Sequence, residues 1–513
     1  MFLKARPLEI ETLKPIVIIN REDAEELDVK PLERVELNFN GRKLIAIVNI
    51  ADVFVIHGEI GLSESVHERL GIKMGEKVKV NTTEPPESLN FIRSKLAGNV
   101  LKPNEIERVV FDMVGQRLSD IEVTAFVTGL HIHGMSMNEV AALSRAMAES
   151  GKTLRFKNKE IFDKHSIGGI PGDKTSMVLV PVIAACGLTI PKTSSRAITA
   201  PAGSADRMEC LCPVDLSLEE IKRVVTKTNG CLVWGGAVEL APADDMFIQV
   251  EYPLSIDPLL LPSVMSKKKA VNAKYVVIDI PTGRGVKIKT TQEAEDLAFK
   301  FIELGKKLKI NVNCVSTFAD QPIGYGIGPA LEAREALNIV RNGKGPKDLL
   351  DKVTCLSSVL LDFKKIRNPK NKVAEILRSG KVDRKMREII EEQGGNPKIR
   401  PEDIPVGDKV LKIKSNRSGR VLWINNLFMT RIARTAGAPK YKGAGILLHR
   451  KLGDKVKRGD VLFEIYSDKD YKLKKALEIF ENNNVFGVGK KYSIVLAEIP
   501  EEEERKKYFI LER

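Results

Sequence analysis

KYVVIDIP (274–281), QEAEDLAFKFIELGKKL (292–308) and LKINVNCVST (308–317) follow one another in the middle of the chain. The first and third are apolar runs rich in β-branched residues, and the second places its apolar residues at helical spacing. Strand, amphipathic helix and strand in that order make a βαβ unit, which predicts an α/β domain with a mainly parallel sheet. SMVLVPVIAACG (176–187) reads as a further apolar run of the same series. Ligands in such sheets are expected in the loops beyond the carboxyl ends of the strands.

Outward from this centre, residues 161–404 are expected to form the α/β domain. Before it, 88–160 changes to helical periodicity. NEIERVVFDMVGQRLSDIEVTAFVTGLHIHGM (104–135) and NEVAALSRAMAESG (138–151) carry apolar residues at i, i+3, i+4 and i+7. Ser119-Asp120 is a capping signal that opens a helix. A stretch from about 242 to 272 is expected to join this helical domain. Residues 1–84 read as short alternating strands (PIVIIN, RVELNF, KLIAIVNI, GIKMGEKVKVN) and predict a β-barrel-like domain. NTTEPPESL (81–89) reads as a linker. The last part, 405–513, is expected to be β-rich from GRVLWINN (419–426), GAGILLHRKLGDKVKRGDVLFEIYSD (443–468) and YSIVLAEIP (492–500). The whole reads as a multidomain α/β protein of four domains.

The 513 residues are 43% apolar, enough for several cores and unlike a disordered or fibrous chain. No apolar run reaches the roughly 18 residues of a membrane span. The start, MFLKARPLEIETLKP, lacks the regions of a signal peptide. A cytoplasmic protein with no membrane partner is therefore expected. Six scattered cysteines form no CxxC pair and no Cys/His cluster, so neither a disulfide scaffold nor a zinc site is expected. The net charge of +14 comes from 82 basic and 68 acidic residues that interleave, and aromatics are only 5%. A nucleic-acid binder would gather its charge in a stripe with stacking aromatics. This distribution suits small anionic substrates instead.

KHSIGGIPGDKTS (164–176) is the strongest local signal. Gly168, Gly169 and Gly172 let the backbone come close to a ligand, and successive N–H groups then form an anion-binding nest. A helix starting near Lys174 would extend it. Lys164 supplies a point charge, and Ser166 and Ser176 supply hydroxyls. His165 lies inside the same loop and is a candidate functional group. The spacing matches neither a P-loop nor GxGxxG; a glycine-rich turn holding no ligand is the plain alternative.

TIPKTSSRAITAPAGSADR (189–207) has the same character, with Arg196 among hydroxyls and Ser204 after a glycine. Hydroxyls, amides and one guanidinium can hold a phosphate there; an exposed capping turn is the alternative. In PLSIDPLLLPSVMSKKKA (253–270), Asp257 has apolar neighbours that should desolvate its carboxyl, raise its pKa and suit it to general-acid work. It could equally be the N-cap of a helix that begins at Pro258. Ser263 and Lys267 stand four apart, on one helical face. DIPTGRGVKIK (279–289) adds Lys287 beyond a strand. His131, His133, His57, His67 and His449 read as packing or surface residues.

Together these motifs, with QPIGYGIGPALEAREAL (321–337), resemble the thymidine/pyrimidine nucleoside phosphorylase family over roughly residues 90–500. The added N-terminal domain, SSRAIT and LSIDP bring the chain nearer to that family's archaeal, AMP-cleaving branch. The resemblance implies phosphorolysis of AMP, and of other nucleoside monophosphates such as CMP and UMP, to free base and ribose 1,5-bisphosphate. It implies a cleft between helical and α/β domains, a homodimer or higher homo-oligomer, and no cofactor beyond phosphate as co-substrate. It assigns Asp257 as proton donor to the leaving base. Gly169, Ser195, Arg196, Ala197, Ile198, Thr199, Ala200, Ser204, Ser263 and Lys287 would contact the nucleotide. Lys164, Ser166, Ser176 and Ser204 match positions that hold inorganic phosphate; His165 and Lys267 are further candidates. The SSRAIT turn is expected to take the 5′-phosphate.

The chain departs from the pyrimidine enzymes at three places. Ala200 stands where they have His, Ile248 where they have a base-contacting Arg, and Ile167 where their glycine loop has Thr, with Pro171 interrupting the glycines. A thymine pocket is therefore disfavoured. Two other activities remain open: a pyrimidine nucleoside phosphorylase, and a phosphoribosyltransferase using Asp244-Asp245 for magnesium pyrophosphate. A binding or assembly protein using the terminal β-domains is a third.

Overall fold

The computed structural model describes residues 1–490 apart from Leu13, Asn158 and Thr199. The strand expected at YSIVLAEIP (492–500) lies outside the described residues. Near the N-terminus, six strands close into a barrel in the order Phe2–Pro7, Glu59–Leu62, Ile16–Ile19, Arg42–Ile50, Arg34–Phe39, Lys77–Thr82. Their alternation turns Leu3, Val17, Leu37 and Val78 inward. The barrel leans on the helical bundle through polar contacts. Lys14 Nζ donates to Leu118 O at 3.0 Å, and Arg34 Nε to Arg117 O at 2.6 Å.

Helices Ser88–Leu96, Pro103–Val114, Asp120–His133 and Met137–Glu149 form that bundle. Ser119 and Glu122 make the reciprocal cap that the sequence signalled. Helix Pro242–Leu254 and the residues before helix Leu260–Ala270 complete its core, with Phe247 and Leu259 packed against Phe126 and Val110.

The α/β region holds a parallel sheet in the order Asn311–Phe318, Ala273–Thr282, Ile161–Ser166. A parallel pair, Ile190–Ser194 with Gly230–Trp234, joins it through a single bridge between Ile161 and Thr189. Helix Thr291–Leu308 connects two of the strands, as its apolar spacing requires. SMVLVPVIAACG, read as an apolar run of the strand series, is a correction: its residues lie in helix Thr175–Ala185, whose N-cap is the Lys174 where a helix was expected to start, and in the turn after it. The helix has no polar face because it is buried on all sides, from Met177 to Ala184. Each of its large apolar side chains contributes about 1.5–3 kcal/mol of burial, so uniform apolarity here signals a central helix.

Beyond residue 405 a four-stranded antiparallel sheet takes its edge strand, Gly326–Ile327, from the α/β region. A three-stranded sheet and helices Asn426–Ala436 and Asp470–Glu481 complete this β-rich end. All six cysteines are free. Among the described residues no helix is long and apolar enough to cross a membrane.

Candidate active site

Three loops from the carboxyl ends of parallel strands converge on the helical bundle. The first follows Ile161–Ser166. Gly168, Gly169 and Gly172 there have φ of +82°, +95° and +81°, a region that glycine enters without strain. A Cβ on Gly169 would lie 3.1 Å from Lys287 N, and one on Gly172 would lie 2.6 Å from Ile323 O. The missing side chains therefore let this loop close onto two others. Ser166 Oγ accepts from Gly168 N at 3.4 Å. Ser176 is buried in the first turn of the following helix, whose N-cap is Lys174.

Lys164 is buried, with Nζ 3.8 Å from Asp173 Oδ2 and 3.7 Å from Asp279 Oδ2. Lys352 joins the same carboxylates, at 2.7 Å from Asp279. Burial opposes the charge on Asp173, yet Lys164 and Lys352 outweigh it and hold the carboxyl below its usual range. Four charges of balanced sign, three of them buried, thus brace the base of the glycine loop.

Further lysines crowd His165. Lys268 Nζ meets Asp163 Oδ2 at 2.5 Å, and Lys267 Nζ meets Asp244 Oδ2 at 2.6 Å. Burial first, then Lys268, Lys192, Lys267 and Lys164, push the His165 pKa well below its ordinary value. The imidazole is neutral at neutral pH. Lys192, on strand Ile190–Ser194, is only 5% exposed and donates to the carbonyl of Thr193. It makes no ion pair among the described residues. Burial, and then Lys268, bring its pKa down to about 7. The charge of Asp163 offsets these lysines only in part, and a buried cation without an ion pair is unfavourable until an anion arrives.

The second loop, Ser195–Ala200, borders a cavity of about 230 Å³ that Trp234, Ile248 and Lys267 also line. Ile248 thus stands at the cavity wall. Thr199 lies outside the described residues. The expected guanidinium for a phosphate is not free. Arg196 forms two 2.8 Å bonds to Glu209, reaches Asp215 at 3.2 Å and lies over Trp234 at 4.9 Å. The Glu209 bonds raise its pKa further. The sequence could not reveal this, because Glu209 and Asp215 come from beyond the next helix. Asp206 Oδ2 already accepts the amides of Ala197 and Gly203, at 2.7 and 2.8 Å. The side chain of Ser204 accepts a 3.4 Å bond from Arg207. From the β-rich end, Arg434 donates to Ile198 O at 2.6 Å and Ala200 O at 3.2 Å, bracing the loop from behind.

The third loop carries Lys287, whose Nζ lies 2.7 Å from Asp257 Oδ2. Asp257 corrects the sequence reading on two counts. Its side chain is 47% exposed, because Leu259 turns into the helical core and leaves the carboxyl outside. It caps no helix either: helix Leu260–Ala270 has Leu259 at its N-cap. Ser263 and Lys267 lie one turn apart on that helix. The desolvated carboxyl is Glu251, which sequence reasoning missed. Its pKa is pushed up to about 7 by burial and then by Asp257. The signal was there, since 251 continues the buried spacing of Ala243 and Phe247. Asp244, the magnesium candidate, is buried and held by Lys267.

Comparison with known proteins agrees with this layout. Residues 89–151 match the glycosyl transferase family helical bundle domain, and 158–382 match the glycosyl transferase family a/b domain. Residues 422–486 match the pyrimidine nucleoside phosphorylase C-terminal domain. A relative from Thermofilum pendens, named AMP phosphorylase, is 49% identical over 490 residues, 96% of each chain. The chain belongs to the AMP phosphorylase family. Relatives of the same name from Pyrococcus furiosus (49% identical; 92% of this chain, 95% of that one) and Methanocaldococcus jannaschii (47%; 93% and 96%) extend the match. Anthranilate phosphoribosyltransferase from Thermus thermophilus shares the fold of the central part. Its TM-score is 0.51 at 19% identity, over 59% of this chain and 98% of that one.

Proposed function

We propose that the protein cleaves AMP with inorganic phosphate, giving adenine and ribose 1,5-bisphosphate. The relatives' shared name supports the substrate, and the meeting of the glycine loop and the Asp257 loop at Lys287 supports the site. The carrying observation is that one lysine links the glycine loop to the candidate acid. Its backbone closes on Gly169, and its ammonium holds Asp257 at 2.7 Å.

Breaking the N-glycosidic bond puts positive charge on the sugar and negative charge on the base. Asp257 serves as the acid that protonates the departing base. For that it must leave Lys287, and an arriving phosphate group supplies the ammonium with a stronger partner. Orthophosphate is held by the amides of Gly168 and Gly169 with Lys164, Ser166 and Ser176. Its fixed position beside the sugar replaces a bimolecular encounter. The neutral His165 supplies a ring nitrogen for a hydrogen bond without adding charge.

The 5′-phosphate is assigned to the Ser195–Ala200 turn through its hydroxyls and main-chain amides, with Arg196 shaping the loop rather than gripping the anion. Ser204, Ser263 and Lys267 complete the nucleotide side. Ile248 gives the base an apolar wall, consistent with a purine and compatible with CMP and UMP. The reaction is assigned to the cytoplasm and to a homodimer or larger homo-oligomer.

A substrate panel tests this reading. Adenine should form from AMP only with phosphate present, and adenosine should react far more slowly. Equal turnover of adenosine would remove the nucleotide assignment; release unaffected by phosphate would remove phosphorolysis.

A further inference from the structure

Glu251 lies in the last turn of helix Pro242–Leu254, 8% exposed, on the buried face with Ala243 and Phe247. The chain leaves that helix through Ser255, at φ +54°. Two bonds then tie the departing loop back to one residue. Ile256 N donates to the main-chain carbonyl of Glu251 at 3.2 Å, and Leu259 N donates to Glu251 Oε1 at 3.1 Å. Asp257 sits between these two anchored amides. Leu259 is itself buried in the helical core, so the far anchor is rigid. From this short loop, fastened at both ends to the same residue, the Asp257 side chain reaches Lys287 Nζ at 2.7 Å.

The same carboxyl is an electrostatic neighbour of Asp257. The charged groups acting on Glu251 are Asp257 from the loop, Asp244 from its own helix and Lys287 from the turn after strand Ala273–Thr282. Coupling between two titrating groups is reciprocal. If the charge on Asp257 disfavours ionised Glu251, ionised Glu251 disfavours ionised Asp257 by the same amount.

We propose that Glu251 is the positioning residue for Asp257, fixing its loop through two main-chain amides and setting a second carboxyl beside it, without touching substrate. The inference rests on Asp257 being the proton donor. Once Lys287 turns to a phosphate, Asp257 loses the cation that favours its ionised form. Glu251, held away from water, remains beside it as a like charge. The protein thus places a solvent-facing acid under the control of a buried one.

The experiment compares pH profiles of kcat for the parent, Glu251→Gln, Glu251→Ala and Asp257→Asn. Glu251→Gln keeps an oxygen for the Leu259 amide and removes only the charge. Its KM for AMP and phosphate should stay within about twofold, while the alkaline limb of kcat moves down by about one pH unit. Orthophosphate titrates identically in both proteins, so the difference between profiles belongs to the enzyme. Glu251→Ala also removes the side-chain bond to the Leu259 amide and should lower kcat about tenfold at the optimum; Glu251→Gln carries the test even if Glu251→Ala fails to fold. A Glu251→Gln profile superimposed on the parent's, with Asp257→Asn nearly inactive, overturns the inference alone. A fully active Asp257→Asn overturns the general-acid assignment beneath it.

Discussion

Replacing Lys192 by methionine should make the ligand-free protein more stable and the enzyme worse. The side chain is 5% exposed, lies among Lys164, Lys267 and Lys268 with the carboxylate of Asp163 partly offsetting them, and forms no ion pair among the described residues. Its pKa falls from the ordinary 10.5 to about 7, through burial first and Lys268 second. At about 1.4 kcal/mol per pH unit, that span corresponds to about 5 kcal/mol disfavouring the charged form in the folded protein. The sign follows from linkage. Below pH 7 the lysine is charged in both folded and unfolded chains, and the folded state carries the full penalty. Between pH 7 and 10.5 it is charged only when unfolded, so the penalty shrinks as pH rises.

Methionine of similar length fills the space without that penalty. Lys192→Met should therefore gain on the order of 3–5 kcal/mol at pH 6, with the gain fading toward pH 10. Urea unfolding at pH 6 and pH 9.5 measures it. Adding orthophosphate or AMP should narrow the difference, since an anion compensates the ammonium and stabilises the parent more. A hundred Kd of a ligand bound only to the native state is worth about 2.7 kcal/mol. Two results would refute the reasoning: a variant no more stable than its parent at pH 6, or equal stabilisation of both proteins by the anions.

Two other substitutions separate roles that the sequence had run together. Asp257→Asn should lower kcat by about 10²–10⁴ with little change in AMP affinity, measured by initial rates and equilibrium binding. Arg196→Lys breaks the paired bonds to Glu209 and should cost about 1–2 kcal/mol of stability by thermal unfolding. Its kcat at saturating AMP should remain within about threefold of the parent. A collapse of kcat would instead place the guanidinium on the substrate.

Much of the architecture was legible because periodicity is local. The alternation in RVELNF, the reciprocal cap at Ser119–Glu122 and the strand-helix-strand series at 274–317 all lie within one window of chain. The glycines of 168–172 were legible for a similar reason, as only a positive φ or a close approach explains three in five residues. Helix Thr175–Ala185 misled because the strand and the fully buried helix share one signature, an apolar run without polar punctuation.

The electrostatics of the site were not legible, because they depend on partners far away in sequence. Arg196 is neutralised from positions 209 and 215, and Lys164 shares its carboxylates with Lys352. Asp257 shows the same limit. Its greasy neighbours in sequence are real, but Leu259 points inward and the carboxyl points out. Glu251 could have been found by asking which charged residue falls on the buried face of its helix.

The most direct measurement follows the phosphorus itself. With radiolabelled orthophosphate and unlabelled AMP, each adenine released should be matched by one label in ribose 1,5-bisphosphate. Adenine formed without transfer of label to the sugar would mean that water, not phosphate, attacks the glycosidic carbon, and would contradict the account.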